Sequence, residues 1–305
     1  MTRWKQTTLF LLGMVLTITL SLPFYQADSN SLLPPLPEFH QTTPSEPLNT
    51  NIHLMVIGDS GAGTTAQQKI ANLLVKTQQR TGAKTLLHLG DLIYPRGDFT
   101  QTGNRLYKKY YQPLVDAGVT LKPVLGNHDV LDGYNPKALE FYNIPNRYYQ
   151  FTLQQNGLSI DCFAIDTNIF HDTKQQTWLD NALKQSQADW KVVYGHHPVF
   201  SSGMHGNNKT LLAHLKPLLK KYQVDLYLAG HEHDYERFSP IDGTLHIVSG
   251  GGGAYLRKFK RQAPHSIARI STHHLLHLSF KQHQLTGETI NAQGVVIDQF
   301  SHTQH

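Results

Sequence analysis

Cysteine is nearly absent from the 305-residue sequence, in which Cys162 is the single example. One cysteine cannot form an intramolecular disulfide, and Cys162 lies in the alternating apolar run LSIDCFAID, which is typical of a buried strand. Charged residues make up only 16% of the chain, and the basic ones form short clusters, so a nucleic-acid-binding surface is not indicated. The composition excludes a disulfide scaffold and favours a globular protein with a large core.

Two glycine-rich stretches lack the residues that would make them nucleotide-binding motifs. GDSGAG, at 58–63, is not followed by Lys-Ser or Lys-Thr, and SGGGGAYL, at 249–256, does not match the dinucleotide fingerprint. Both are interpreted as tight turns.

The N-terminal apolar run, from about Leu9 to Leu22, is shorter than the roughly 20 residues that usually span a membrane.

The N-terminal residues nevertheless have the pattern of an export signal. A short basic start precedes the apolar run, and polar residues follow it. The region around Ala27 is a poor cleavage site, so residues 1–28 fit either a cleaved signal peptide or an uncleaved membrane anchor. Residues 29–50 are rich in proline, serine and threonine, which predicts a linker. We therefore expect an exported protein, periplasmic or secreted, that could be tethered to the membrane by its N-terminus and whose folded domain spans 51–305.

Apolar segments of strand length alternate with helical segments along most of this domain. The strand-like segments are IHLMVIG, KTLLHLG, VTLKPVLG, LSIDCFAID, WKVVYGHH and VDLYLAGH. Helical spacing of apolar residues occurs at 67–79, 105–116, 175–186 and 210–222. This alternation predicts a layered α/β fold. After about Leu245, four segments predict consecutive antiparallel strands, so we expect one domain with two packed sheets and flanking helices.

Five of the predicted strands end in the same way, with glycine followed at once by side chains that can bind metal. Loops at the carboxyl ends of strands in α/β sheets converge on one site, so these side chains are expected to meet. Each motif alone is weak evidence, since an aspartate after a strand usually caps a turn. The residues are Asp59 in MVIGDSG, Asp91 in LLHLGDLIY, Asn127 and His128 in KPVLGNHD, His196 and His197 in VVYGHHP, and His231 and His233 in LYLAGHEH.

The donor types at these strand ends suit two adjacent cations of intermediate hardness. Carboxylates, an amide and imidazoles together fit such ions better than they fit calcium or thiolate-bound zinc. A carboxylate can bridge two ions, and two metals about 3.5–4 Å apart are a standard arrangement for in-line attack on phosphorus. The pattern therefore predicts a binuclear metal site.

The ordered series GD, GDxxY, GNHD, GH and GHxH resembles the metallophosphoesterase superfamily. Tyr94 and the stretch GHHPVFSSGMHG make the chain most similar to purple acid phosphatases of the small tartrate-resistant type. The resemblance covers about Ile52 to Gly253 and implies a sandwich of two mixed β-sheets flanked by helices, with the metal site at strand carboxyl ends. It also implies the metal ligands: Asp59, Tyr94 and His233 for the first ion, Asp91 as the bridge, and Asn127, His196 and His231 for the second.

Two further histidines match family positions that do not bind metal. His128 and His205 would lie beside the substrate, stabilise the pentavalent phosphoryl group and help to protonate the leaving alcohol. Histidine titrates in mild acid, so this arrangement fits an acid optimum. The resemblance leaves His197 in the pocket wall, and Asp129 is expected to orient His128.

Tyr94 bears on the identity of the metals. An aromatic residue beside a pocket is usually part of its wall. As a ligand it needs a cation acidic enough to remove a phenol proton, which favours Fe(III). Pro95 biases Tyr94 towards extended backbone next to Asp91. We therefore expect Fe(III) with a divalent iron, zinc or manganese ion.

The resemblance implies an exported acid phosphatase that hydrolyses small phosphate monoesters by direct in-line attack of a metal-activated hydroxide. Its specificity would lie in the loops 97–104, 131–146 and 201–208. One alternative is a phosphodiesterase or nucleotide pyrophosphatase of the same superfamily, which would use manganese, zinc or Fe(II) near neutral pH. Another is a non-catalytic module that binds metal or phosphate, which the complete ligand set disfavours. No nucleic-acid partner is expected, and the oligomeric state is left open.

Overall fold

All six predicted strand segments are strands in the computed structural model, which describes residues 51–133 and 136–304. Their aliphatic and β-branched residues favour a pleated, buried sheet. The predicted signal segment and linker lie outside the described residues, so the domain boundaries stay predictions. Within the described ranges, no helix is both long enough and apolar enough to cross a membrane.

Thirteen strands and six α-helices make up the regular structure of the described residues, together with a short 3-10 turn at Thr167–Ile169. The helices are α1 Thr65–Thr81, α2 Gln101–Tyr110, α3 Gln112–Asp116, α4 Lys137–Tyr142, α5 Thr173–Gln185 and α6 Lys209–Lys221. The strands are β1 Ile52–Ile57, β2 Thr85–His88, β3 Thr120–Pro123, β4 Tyr149–Gln155, β5 Leu158–Ala164, β6 Trp190–Tyr194, β7 Leu226–Ala229, β8 Tyr235–Phe238, β9 Leu245–Ser249, β10 Ser266–Ile270, β11 His274–Phe280, β12 Gln284–Asn291 and β13 Val296–Thr303.

The strands form two mixed sheets, as predicted. The first sheet has the order β13-β12-β11-β1-β2-β3, in which β1, β2 and β3 are parallel and the other neighbours are antiparallel. The second has the order β10-β8-β9-β7-β6-β5-β4, in which β5, β6, β7 and β9 are parallel. Neighbouring parallel strands end at the same edge of their sheet, which is the geometry that brings ligand-binding loops together.

The two faces of the second sheet belong to different parts of the core. Alternate residues of a strand point to opposite faces. In β5, Ile160 and Cys162 join the large core shared with the first sheet and α1, whereas Phe163 packs with α5 and α6. Burial raises the pKa of the Cys162 thiol, and the prediction of a buried core cysteine is confirmed.

Two local predictions were wrong. The helical pattern at 105–116 is two helices, because Pro113 has no amide hydrogen to donate and occupies the first turn of a new helix, α3. The last strands are not one antiparallel run: β9 lies parallel to β7 in the second sheet, whereas β11, β12 and β13 extend the first. Sequence adjacency does not determine which sheet a strand joins when both sheets offer a free position.

Candidate metal centre

The loops that follow β1, β2, β3, β6 and β7 bring all seven predicted ligands into one continuous cluster. The first sheet supplies the oxygen donors and the second sheet supplies the imidazoles. The donor atoms of Asp59, Asp91 and His196 lie within 4.8 Å of one another and form a group that could hold a metal ion. The oxygen donors are Asp59, Asp91, Tyr94 and Asn127, and the imidazoles are those of His196, His231 and His233.

The Tyr94 hydroxyl lies among the ligands that the resemblance implied for the first ion. Its oxygen is 3.2 Å from Asp59 Oδ1 and 3.0 Å from His233 Nε2. It also lies 2.7 Å from Asp91 Oδ2. His233 Nε2 is in turn 3.4 Å from Asp59 Oδ1. Tyr94 therefore faces the centre and is not a remote part of a pocket wall.

His196 lies among the ligands implied for the second ion. Its Nε2 is 3.0 Å from Asn127 Oδ1 and 3.1 Å from His231 Nδ1. The same nitrogen is 3.5 Å from Asp91 Oδ2. Asp91 Oδ2 thus lies between the Tyr94 group and the His196 group, where a bridging carboxylate would be.

Four of the seven ligand side chains are each oriented by a further hydrogen bond to the backbone. His196 Nδ1 lies 2.8 Å from the Leu89 carbonyl oxygen, so the Nε2 atom is directed inwards. His233 Nδ1 lies 2.6 Å from the carbonyl oxygen of Tyr255. The carboxylates are held in a similar way: one oxygen of each accepts a backbone N–H and leaves the other facing the cluster. These bonds are His231 N–H to Asp59 Oδ2, 2.8 Å, and His128 N–H to Asp91 Oδ1, 2.9 Å.

The backbone at four of the seven residues is left-handed. The φ angles are 57° at Asp59, 53° at Asp91, 73° at His231 and 54° at His233. This conformation costs about 1–2 kcal/mol for a residue with a Cβ, although Asp and His tolerate it better than most. The sharp turns bring side chains at the ends of different strands back to one point, and strain of this kind is concentrated at functional sites.

The glycine before Asn127 makes room for Asp91. A Cβ at Gly126 would lie 2.1 Å from Asp91 Oδ1 and 2.2 Å from the Asp91 amide nitrogen, closer than any real contact. A Cβ at Gly230 would lie 2.5 Å from Asp59 Oδ2. At these two strand ends, glycine is therefore required by the close approach of a neighbouring loop to a carboxylate.

With one choice of histidine tautomers, the centre has more acceptor atoms than protons. When the Nδ1–H groups of His196 and His233 donate to backbone carbonyls, each Nε2 carries a lone pair directed inwards. His196 Nε2 then faces Asn127 Oδ1 with no proton between them, and the single hydroxyl proton of Tyr94 faces several acceptors. Cations among these lone pairs would relieve the repulsion. Carboxylate, phenol, amide and imidazole donors therefore fit a pair of metal ions.

The ionisable groups of the centre shift one another's pKa values. Burial lowers the pKa of His196, but the carboxylates of Asp91 and Asp59 outweigh burial and raise it. Burial raises the pKa of Asp91, but His196 and the hydrogen bond from Tyr94 outweigh burial and lower it. Burial, followed by Asp59 and Asp91, raises the pKa of Tyr94. The phenol thus keeps its proton unless a cation offsets the two carboxylate charges.

His128 and His205 lie on either side of the cluster. The His128 ring is 4.6 Å from the Tyr94 ring, and its Nδ1 lies 2.8 Å from the carbonyl oxygen of Pro95. The His205 ring is 4.1 Å from the His231 ring and is the more open, with 41% of its side chain exposed.

Asp129 does not orient the His128 ring, so that expectation was wrong. Its carboxylate accepts the backbone N–H groups of Leu92, Ile93 and Gly126, which ties the loops after β2 and β3 together. Burial and the nearby Asp91 raise the pKa of Asp129 to about 7. His197 lies 4.4 Å from the His231 ring and bonds to Thr167, and burial together with His196 lowers its pKa to about 3, which suits a wall position.

The sequence analysis missed three residues beside the centre. Glu232 is fully buried and holds the loop that carries His205, accepting hydrogen bonds from the backbone of His205 and Gly206 and contacting His205 Nδ1 at 3.2 Å. Tyr255 and Arg257 follow the glycine run and border His233 and His205. Glu232 could have been noticed as a carboxylate enclosed by two ligands, but nothing in the sequence marks the other two.

Comparison with known proteins supports a relationship to metallophosphoesterases. The model of the calcineurin-like phosphoesterase family matches residues 52–235. Purple acid phosphatase 3 of Arabidopsis thaliana is 30% identical over 232 residues, which are 67% of this chain and only 63% of the relative. Tartrate-resistant acid phosphatase type 5 of Homo sapiens is 26% identical over 256 residues, 72% of this chain and 79% of the relative.

Two solved structures share the fold. Purple acid phosphatase PPD1 from yellow lupin seeds has a TM-score of 0.69 and 19% identity, with 84% of this chain and 54% of that chain covered. GAP50, the anchor in the inner membrane complex of Plasmodium, has a TM-score of 0.74 and 20% identity, with 84% and 89% covered.

Substituting Gly126 by alanine is expected to displace the Asp91 carboxylate and to lower the affinity of the centre for metal by about 10- to 100-fold. The measurement is the metal content of purified protein by mass spectrometry, with circular dichroism to check the fold. Gly157→Ala is the matched control, because Gly157 has a φ of 83° and open space around its Cβ position. It should destabilise the β4–β5 hairpin slightly and keep the metals. Full metal occupancy in Gly126→Ala would contradict the steric argument.

Proposed function

This chain belongs to the calcineurin-like phosphoesterase family, and we propose that it is an acid phosphatase of the purple type that hydrolyses small phosphate monoesters. The observation that carries the proposal is the convergence of carboxylate, phenol, amide and imidazole donors at one edge of the two sheets. The purple and tartrate-resistant acid phosphatases among its relatives support the same activity.

The family uses two metal ions, and the donors fall into two groups that suit such a pair. We assign Asp59, Tyr94 and His233 to the first ion, and a phenol in this group favours Fe(III). A divalent iron, zinc or manganese ion would occupy the second position, with Asp91 between the two. When bound, the pair would neutralise phosphate charge and make a water molecule a better nucleophile. The second group is Asn127, His196 and His231.

The two flanking histidines are assigned to the substrate. With Nδ1 bonded to the Pro95 carbonyl, His128 can present Nε2 to a phosphoryl oxygen. Glu232 accepts the Nδ1–H of His205, which leaves Nε2 to hold the proton that the leaving oxygen needs. Proton donation by histidine fits activity in mild acid.

The nearest alternative is a phosphodiesterase or nucleotide pyrophosphatase built on the same centre. Tyr94 at the first metal position favours the acid phosphatase, because such an enzyme using divalent ions has no need of a phenol ligand. A non-catalytic metal or phosphate-binding role is disfavoured by the completeness of the ligand set. Export belongs to the proposal, with residues 1–28 as either a cleaved signal peptide or a membrane tether, and it is supported by the N-terminal sequence pattern.

Replacing Asp91 by asparagine, or His196 by alanine, should lower the turnover of p-nitrophenyl phosphate by about a thousandfold or more, because each change removes a ligand of the reacting centre. The wild type should prefer this monoester to bis(p-nitrophenyl) phosphate between pH 4 and pH 8, with its maximum on the acid side. His214→Ala, at an exposed position on α6, is the control and should keep full activity. Preference for the diester would favour the alternative, and full activity of the ligand variants would exclude the proposed centre.

Tyr94→Phe removes the phenol oxygen and keeps the ring, so the fold and the contact with His128 should persist. If Tyr94 binds Fe(III), the wild type will show a violet absorption band and the variant will lose it. Visible spectroscopy, with metal analysis on the same samples, makes the test. Tyr148→Phe, beside Trp178, provides the control tyrosine. An unchanged spectrum would show that Tyr94 does not bind the metal and only lines the pocket.

Glu232→Gln keeps the size of the side chain but removes the charge that orients His205. We expect kcat to fall about tenfold with a smaller change in KM, as is usual when the partner of a functional histidine is lost. Glu236→Gln is a matched control, because Glu236 is also fully buried but bonds to Ser202 and Ser266 instead of His205. Equal losses in both variants would show that Glu232 only stabilises the fold.

A further inference from the structure

The segment after β9 crosses the mouth of the metal centre. Four glycines, 250–253, allow a close approach, and the Ala254 N–H donates to the carbonyl oxygen of Asp59 at 2.9 Å. The next residue, Tyr255, accepts His233 Nδ1 on its carbonyl oxygen, while 69% of the residue is exposed. This segment is therefore fixed to the ligands and presents its side chains to whatever enters the site.

The guanidinium of Arg257 lies between this segment and His205. Its Nη1 donates to the carbonyl oxygen of His231 at 2.9 Å and lies 3.3 Å from His205 Nδ1 and 3.5 Å from His205 Nε2. Its Nη2 donates to the Tyr255 hydroxyl at 3.1 Å, and the guanidinium carbon is 5.3 Å from the centre of the Tyr255 ring. Arg257 thus reaches the position of the proposed proton donor and is held there from two sides.

Arg257 forms no ion pair with any residue in 51–133 or 136–304. Four other arginines do pair with a carboxylate, and the acid nearest to His205, Glu232, gives its oxygens to His205, Gly206 and Ser201. An arginine whose charge is not neutralised, held at the edge of a site with free N–H groups, is suited to an anionic ligand. The paired arginines are Arg80, Arg96, Arg147 and Arg237.

We propose that Arg257, held by Tyr255, binds a negative charge on the leaving group, so that the enzyme prefers phosphate monoesters with a second anion close to the ester oxygen, such as phosphorylated hydroxy acids. The inference rests on the proposed function. The metals would hold the phosphoryl group, and His205 would face the ester oxygen. Arg257 adjoins His205, so its reach extends to the substituent next to that oxygen.

The test compares two esters that differ in one group, 2-phosphoglycerate and glycerol 2-phosphate, in which a carboxylate replaces a hydroxymethyl group. The wild type should have a kcat/KM about tenfold or more higher for 2-phosphoglycerate, as expected for a charged hydrogen bond. Arg257→Gln should abolish the preference, and Arg257→Lys should keep part of it. Lys258→Gln, the adjacent exposed residue with the same change of charge, should keep it fully. Any damage to the shared centre lowers kcat/KM for both esters alike, so the ratio of the two kcat/KM values is not affected by it.

A binding measurement gives a second readout that does not depend on turnover. Calorimetry with 3-phosphonopropionate and 3-hydroxypropylphosphonate, in which a methylene group replaces the ester oxygen so that neither can be hydrolysed as an ester, should show a preference for the carboxylate in the wild type and its loss in Arg257→Gln. Arg257→Gln could instead lower kcat/KM equally for the two esters and affinity equally for the two phosphonates. Arg257 would then serve the phosphoryl group or support His231, and the inference would be wrong. Equal turnover of the two esters by the wild type overturns the inference alone, whereas hydrolysis of neither overturns the proposed function with it.

Discussion

The bonds between the two sheets at the edge of the centre are the contacts on which the rest of the structure depends. The His231 N–H, after a strand of the second sheet, donates to Asp59 of the first, and the His196 ring of the second sheet bonds to the Leu89 carbonyl of the first. Each of these bonds both orients a ligand and joins the sheets. The left-handed turns at His231 and Asp59 are retained because the surrounding contacts offset their strain. The packing of the two sheets and the geometry of the site therefore depend on the same hydrogen bonds.

Charge in the centre follows from the same arrangement. Two carboxylates from one sheet are buried against three imidazoles from the other. Burial and the charges of residues far away in sequence therefore both act on the pKa values of Asp91 and His196. Asp129 has a structural role, because its carboxylate oxygens accept hydrogen bonds from backbone amides and so fix the loops after β2 and β3. The open side of the centre carries Arg257 beside His205, and the guanidinium places a positive charge on the side from which an anion would enter.

The sequence predicts the sheet class and the convergence of the candidate ligands, because both depend on local patterns. Apolar runs that end in glycine identify strands, and the carboxyl ends of parallel strands meet by geometry. Prediction from the sequence fails where the position of a residue or strand depends on the three-dimensional path of the chain. Arg257 lies in an aperiodic loop whose course across the site depends on four glycines and on contacts with Asp59 and His233, which no local pattern encodes. The placement of β9 beside β7 and the attachment of Asp129 to three amides are likewise products of tertiary packing.

The division of donors between the sheets gives the centre a role in assembly. Neither sheet alone carries a complete set for either proposed ion: the first needs Asp59 and Tyr94 together with His233, and the second needs Asn127 together with His196. Strong binding of the proposed ions would therefore require docked sheets, and the ions, once bound, would act as a cross-link that holds the sandwich closed at that edge. On the proposed assignment, the chain binds its metals only after its sheets have docked, and its metal content becomes a record of correct folding.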